Sequence, residues 1–177
     1  MDQRTGLGVA EAAVLSRPGE GALQYAGRVA MACPSQRLWA GLNDVAILAG
    51  CVPGLVAYTI LEPGRRFSGT AEINLGGNQI TIPTEVHWLH LADGRGALAA
   101  QAAVVGHPVL CAGEVVLAPA GEDGQAVLHW TAQLTLPAAL NENSLMRQMI
   151  GSLAARYLRA FWECLKATLE ADIPHPA

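Results

Sequence analysis

Thiols and imidazoles are the side chains of this chain that most often hold metals or act in catalysis. The cysteines include no CxxC pair and the histidines no HxxxH pair. The residues concerned are Cys33, Cys51, Cys111, Cys164, His87, His90, His107, His129 and His175. Because structural metal sites use short, regular ligand spacings, the sequence predicts no metal site. We expect the four cysteines to be reduced and buried.

Nucleophiles and acid–base groups form no complete catalytic set. A reactive thiol needs a helix N-terminus or a cation nearby, whereas Cys51 is predicted at the end of a short helix. We expect it to pack the short helices onto a sheet. Glu85 and His87 fall on the outward face of a predicted strand, unless Pro83 bulges that strand and turns both inward. His90, near the end of the same strand, is the other acid–base residue that could approach the interior.

Large apolar side chains suggest a different chemistry, the binding of a hydrophobic ligand. We predict that eight residues line an internal cavity: Trp39, Phe67, Trp88, Trp130, Met149, Leu153, Tyr157 and Phe161. As a lining, tryptophans offer flat apolar walls with an N–H donor, and as ordinary core they need only a backbone partner. The small residues of 97–105 leave space that either a bound lipid-like molecule or the tryptophans must fill.

Alternation of apolar and polar residues predicts the strands that position these side chains. Turn signals at 76–78, 93–94, 106–108 and 121–124 separate the later strands. Seven strands are predicted, at 23–33, 55–61, 66–75, 79–91, 97–105, 109–117 and 125–136. The connections between the later strands are only a few residues long, so neighbouring strands are expected to pair antiparallel.

Three helices accompany the strands. Pro34 and the capping residue Asp44 predict short helices at 35–42 and 44–50. A long helix is predicted from about 143 to 170, because apolar residues recur there at helical spacing. A sheet with one apolar face must be covered, and this is the long apolar helix available.

These elements predict an α+β domain in which a curved, seven-stranded antiparallel sheet wraps a long C-terminal helix. The inward glycines Gly27, Gly69 and Gly113 permit sharp coiling of the sheet. We expect a flexible N-terminal tail over 1–20, a single domain over 21–172 and a C-terminal tail over 173–177.

The composition of the chain favours some classes of binding partner and argues against others. Half of the 177 residues are hydrophobic (51%) and only 15% are charged, which favours a large core or an apolar cavity. The net charge of −4 and the 5% aromatic content argue against nucleic-acid binding. We see neither a signal peptide nor a run of 18 apolar residues, so we expect a cytoplasmic protein without a transmembrane segment.

Three short runs carry a resemblance to a known family. They are YAGRVA at 25–30, LWAGLND at 38–44 and LAGCVPG at 48–54. With the order of elements, they resemble the helix-grip fold of the START/SRPBCC superfamily and, within it, the carbon monoxide dehydrogenase G family. The resemblance implies the same fold, with the two short helices closing one end of the grip, and it implies no cofactor.

The resemblance also implies two alternative functions. The first is a non-enzymatic helper that binds a hydrophobic small molecule or lipid and assists maturation or membrane recruitment of a molybdenum hydroxylase. Its expected protein partners are that hydroxylase or an AAA-type chaperone, and peripheral contact with the inner face of the membrane and a homodimer are left open. The second is a small-molecule enzyme of the polyketide cyclase/hydrolase type. That enzyme would need polar groups in the same cavity, such as Tyr157 with His90 or Glu85.

Overall fold

One antiparallel sheet dominates the computed structural model, which describes residues 13–15, 22–119 and 124–171. Over these residues eight strands form the sheet in the order β1-β2-β8-β7-β6-β5-β4-β3. The strands are β1 (Ala13–Leu15), β2 (Ala22–Met31), β3 (Leu55–Glu62), β4 (Arg66–Leu75), β5 (Asn78–Ala92), β6 (Arg95–Val104), β7 (His107–Leu117) and β8 (Ala126–Thr135). The last six form a meander, and β2 pairs with β8.

The helices follow the predicted order with one addition. They are α1 (Ser35–Asn43), α2 (Val45–Cys51), α3 (Ala138–Asn141) and α4 (Ser144–Glu170). The predicted cap Asp44 begins α2, where its carboxylate accepts hydrogen bonds from the backbone N–H of Ala46 and Ile47 at 2.9 and 3.3 Å. The four-residue α3 was not predicted. The curved sheet around α4, with two short helices after the first long strand, is the predicted helix-grip fold.

Local backbone chemistry explains the tight connections. Asp93 and Gly94 both have positive φ angles, +55° and +72°, as a two-residue hairpin turn of the type I′ class requires. Gly69 lets β3 approach β4, because a Cβ at this position would lie 2.8 Å from the carbonyl oxygen of Ala57. These residues set the turn between β5 and β6 and the close approach of β3 to β4.

The interior lies between the sheet and the helices. Leu38 of α1 and Leu165 of α4 are fully buried, and the hydroxyl of Tyr25 in β2 donates to the backbone oxygen of Gly151 in α4 at 3.0 Å. The core therefore joins the first long strand to the last helix.

Within the described residues, no helix combines the length and hydropathy needed to cross a bilayer.

The seven predicted strands all form, and one short strand joins them. Within the segment 1–20, for which a flexible tail was expected, Ala13–Leu15 form β1, which pairs antiparallel with β2. The remaining residues of that segment, most of the 121–124 turn and the 173–177 tail lie outside the described residues. The bulge considered at Pro83 does not form, since β5 pairs with β4 in unbroken register from Asn78 to His87.

The irregularity of β5 lies further along, where its register with β6 shifts between Trp88 and His90. Before the shift the residues with the parity of Trp88 face inward, and after it Leu91 packs against the core instead. His90 is consequently exposed, as is Leu89. A bulge changes which residues face the core, so the parity argument for His90 fails.

The expectation of four reduced thiols is also wrong. Cys51 at the end of α2 and Cys164 in α4 form a disulfide, with Cα atoms 5.4 Å apart. Cys33 and Cys111 are free. The paired cysteines stand 113 residues apart in the sequence, so only the packing of α2 on α4 brings them together.

Candidate functional site: an apolar cavity under the long helix

A cavity of about 290 Å³ lies between the sheet and α4, and its lining is almost entirely apolar. The sheet contributes inward residues of β2 and β4 to β8, and α4 contributes one stripe. The ends of α1 and α2 and the turn after α2 contribute the rest. The main lining side chains are Tyr25, Leu42, Leu48, Val52, Pro53, Phe67, Val86, Trp88, Leu98, Cys111, Val115, Trp130, Ala132, Leu134, Ala154, Tyr157, Leu158, Phe161 and Trp162.

Five of the eight residues predicted to line a cavity are placed around it: Phe67, Trp88, Trp130, Tyr157 and Phe161. Their alternation along strands and their spacing along α4 already indicated this face. Contact with a bound ligand stays a prediction for all five.

The other three predicted residues lie outside the lining of the cavity. In α1 the fully buried Leu38 faces the core, and its neighbour Trp39 is only half-buried at the flank. Met149 lies near the β4–β5 turn, because a Cβ built at Gly76 would come within 2.8 Å of its Cε. Leu153 packs against the core beside the lining stripe of α4.

The rotation of α4 about its axis explains why Trp162 lines the cavity and why Met149 and Leu153 do not. Its lining residues are Ala154, Tyr157, Leu158, Phe161 and Trp162, which follow the spacing i, i+3, i+4, i+7, i+8. The predicted stripe shares Tyr157 and Phe161 with this lining, but its other two members, Met149 and Leu153, lie to one side of it. Trp162 was therefore missed, although its spacing from 154 and 158 is the signal that would have found it.

Aromatic rings from the sheet and from α4 form one wall. The rings of Trp130 and Trp162 stack, with centroids 5.7 Å apart and planes 25° apart. Phe161 meets Trp162 edge to face at a centroid distance of 5.1 Å. Offset stacks and edge-to-face pairs are the favoured arrangements of aromatic rings. The three rings therefore pack as one aromatic cluster beside the cavity.

Three hydrogen-bond donors in this lining have no partner. Among the side chains that the structure describes, the buried nitrogen and oxygen atoms without a hydrogen-bond partner are the Nε1 atoms of Trp88, Trp130 and Trp162. Leaving a buried donor unpaired costs about 1–3 kcal/mol. The lining therefore contains apolar walls and unused N–H donors together.

Burial keeps the two tyrosines and the thiol of the cavity in their neutral forms. Burial raises the pKa of Tyr25 to about 12 and the pKa of the Cys111 thiol to about 11. Burial also raises the pKa of Tyr157. A nucleophilic thiolate needs a lowered pKa, so this environment does not activate Cys111.

The acid–base residues considered from the sequence lie elsewhere. Glu85 is on the outer face of the sheet, where its carboxylate pairs with the Arg66 guanidinium at 2.7 Å. His90 is exposed beyond the β5 bulge. The pairing of Tyr157 with either residue, which the cyclase alternative required, is thus not assembled. Within the described ranges, no cluster of three or more His, Cys, Asp or Glu residues could hold a metal ion.

Comparison with known proteins identifies the fold. No protein-family model matches the chain, and no curated protein matches it. Solved structures do match. A conserved protein from Geobacillus kaustophilus has a TM-score of 0.71 at 14% identity, over 83% of this chain and 95% of that chain.

Two further matching structures are of proteins whose superfamily or activity is named. A START superfamily protein from Mycobacterium smegmatis has a TM-score of 0.63 at 13% identity, over 84% of this chain and 97% of that chain. The Zhui aromatase/cyclase from Streptomyces sp. R1128 has a TM-score of 0.64 at 19% identity, over 84% and 94%. At such identities the likeness shows the fold alone. The chain has the helix-grip fold of START-type proteins, with an apolar cavity under its long helix.

Proposed function

We propose that this chain is a non-enzymatic binding protein that holds an apolar small molecule in the cavity. The cavity itself carries the proposal. Its apolar lining borders about 290 Å³ that no side chain fills. Protein interiors are close-packed and have few voids larger than a water molecule, so an apolar space of this size is expected to have a use.

The chemistry of the lining supports binding in preference to catalysis. The hydroxyl of Tyr25, the most buried tyrosine of the cavity, already donates a hydrogen bond to the backbone oxygen of Gly151, and burial keeps the Cys111 thiol neutral. A volume of about 290 Å³ lies at the lower end of small-molecule sites and suits a ligand of two or three fused rings.

A cavity-filling pair of variants tests this proposal. Ala154→Phe places a ring in the cavity, and Ser152→Phe places the same ring on the exposed side of α4. The neutral fluorescent probe N-phenyl-1-naphthylamine should bind the wild type and Ser152→Phe equally and bind Ala154→Phe at least tenfold more weakly. Circular dichroism checks that both variants fold. Equal binding by all three proteins, or no binding by the wild type, would contradict the proposal.

A helper role beside a molybdenum hydroxylase is the narrower part of the proposal. It rests on the resemblance of residues 38–54 to the carbon monoxide dehydrogenase G family, and the comparisons add no support for that family. In the structure this segment forms α1 and α2, and Leu42 and Leu48 from it line one end of the cavity. A partner bound to these helices would therefore lie next to the ligand.

Co-expression tests the helper role. A tagged molybdenum hydroxylase, or a tagged AAA-type ATPase, should recover the wild-type chain. Ala46→Arg on the exposed side of α2 should abolish the recovery, and Gln148→Arg on the exposed side of α4 should preserve it. Recovery that is equal for both variants, or absent with both partners, would remove the helper role and leave ligand binding untouched.

A further inference from the structure

The unpaired indole N–H groups indicate what kind of molecule the cavity takes. Among the described side chains, every buried nitrogen or oxygen atom without a partner belongs to Trp88, Trp130 or Trp162, and all three rings line the cavity. Buried polar groups in native proteins are nearly always paired, so three orphans in one lining call for a common explanation. Resting on the function proposed above, we propose that the ligand is a flat, uncharged molecule whose carbonyl oxygens accept hydrogen bonds from these indoles.

The side chains and backbone of the protein place no hydrogen-bond acceptor atom within bonding distance of these donors. Trp130 and Trp162 stack with their planes only 25° apart, and an N–H lies in the plane of its ring, so neither can donate to the face of the other. Of the lining residues with a carboxylate or an alcohol, Glu114 and Thr131 are paired across β7 and β8 with their side chains exposed. Their oxygens therefore point away from the cavity.

The indole of Trp88 turns its benzene edge, not its N–H, towards Gly96 of the neighbouring strand β6. A Cβ at Gly96 would lie 3.0 Å from Cζ3 of this indole, so the benzene edge of the ring rests against the glycine. Cζ3 lies across the six-membered ring from the carbon that bears Nε1. The N–H group is thus on the side of the ring away from Gly96.

The donors and the walls together define the ligand class. An indole N–H can only donate, so the matching group is an acceptor oxygen, not an amine or ammonium. None of the described residues that line the cavity is Lys, Arg or His, so a bound carboxylate or phosphate would have no cation of the lining in contact with it. The aromatic rings of the lining favour stacked or edge-to-face contact with a flat ligand ring. A neutral aryl ketone or quinone-type molecule satisfies all three conditions.

Fluorene and 9-fluorenone form a matched pair of probes, because they share one flat skeleton and differ by a CH₂ in place of a C=O. The ratio of their Kd values is measured by calorimetry for the wild type and for Trp88→Phe, Trp130→Phe and Trp162→Phe. Trp39→Phe is the control, since that tryptophan does not line the cavity. At least one lining variant should lose about threefold to tenfold of the preference for fluorenone, and the control should lose none.

A second measurement does not depend on the folding of any variant. In the ¹⁵N-labelled wild type, indole N–H signals of the lining tryptophans should move downfield with fluorenone and much less with fluorene, and the signal of Trp39 should stay in place. If both probes bind with an unchanged ratio in every variant and shift the indole signals equally, the inference is overturned and apolar binding stands. If neither probe binds the wild type, the proposed binding function fails as well.

Discussion

The hydroxyl of Tyr25 in β2 donates to the backbone oxygen of Gly151 in α4 at 3.0 Å, across 126 residues of sequence. A Cβ at Gly151 would lie 3.4 Å from Leu23 and 3.7 Å from the tyrosine hydroxyl, which are ordinary contact distances, so the bond does not itself require glycine. The bond is buried and joins the first long strand to the last helix beside the cavity. A substitution at Tyr25 therefore tests how strongly α4 is attached to the sheet.

Tyr25→Phe removes the donor and should lower the free energy of unfolding at pH 7 by about 1 kcal/mol. Burial raises the pKa of Tyr25 from 10 to about 12 in the folded state, so between these values the folded protein retains a proton that the unfolded chain has lost. The wild type should therefore lose stability as pH rises from 10 towards 12, and the variant should lose less. Urea unfolding at pH 7, 10 and 11 measures both effects. Equal pH profiles would contradict this, and the exposed Tyr58→Phe is the control.

Reduction of the Cys51–Cys164 disulfide should destabilise the protein. The bond closes a loop of 113 residues, for which the chain-entropy relation gives about 4–5 kcal/mol and measured cases are commonly smaller. We expect a loss of about 2–5 kcal/mol on reduction, and no further loss when the Cys51→Ser variant is reduced. Thiol titration of the unfolded, unreduced protein should find two thiols. Four thiols there would contradict the disulfide.

Two glycines close together in the chain should respond oppositely to alanine. Gly54 has a φ of +76°, and an added Cβ would collide with the backbone oxygen of Glu72, so Gly54→Ala should cost more than about 2 kcal/mol. Gly50, in α2, has open space around its Cβ position, and Gly50→Ala should stabilise by about 0.5–1 kcal/mol. Thermal unfolding of both variants measures the difference. A tolerated Gly54→Ala would contradict the positive φ and the close backbone contact at this turn. A destabilised Gly50→Ala would contradict the open space around that position of α2.

Glu170 fastens the end of α4 to the end of β2. Its carboxylate accepts from the backbone N–H of Ala32 at 2.6 Å and pairs with the Lys166 ammonium at 3.2 Å. Glu170→Ala should cost about 1.5–3 kcal/mol, as expected for a hydrogen bond to a charged group. Glu170→Gln keeps an acceptor oxygen and should cost clearly less. Denaturant unfolding that ranks the two variants equally would assign the effect to charge alone.

Leu158 and Leu153 test the corrected orientation of α4. Both are half-buried on the same helix, and only Leu158 lines the cavity. Leu158→Ala enlarges the cavity and should shift binding towards probes larger than N-phenyl-1-naphthylamine, whereas Leu153→Ala should lower stability without changing the order of probe affinities. Fluorescence titration with probes of increasing ring count measures this order. A change of order in Leu153→Ala would support the stripe predicted from the sequence.

The position of an element was more predictable than the direction of its side chains. The strand bearing Trp130 and the cap of α2 at Asp44 agree with the prediction, since alternation and capping are local effects. Trp39 was assigned to the cavity on its type and its helix alone, but the packing of Leu38 turned it to the flank. Small rotations of a helix are decided by neighbours that the local sequence does not contain.

The sequence by itself determined the order of strands and helices, the apolar face of the sheet and the long helix that covers it, because these depend on residue periodicity. Tertiary structure alone decided three things. It joined Cys51 to Cys164, it placed the β5 bulge after Trp88, and it turned Trp162 into the cavity. Each depends on contacts between residues far apart in the chain. The unpaired indoles, and with them the proposed chemistry of the ligand, belong to this second group.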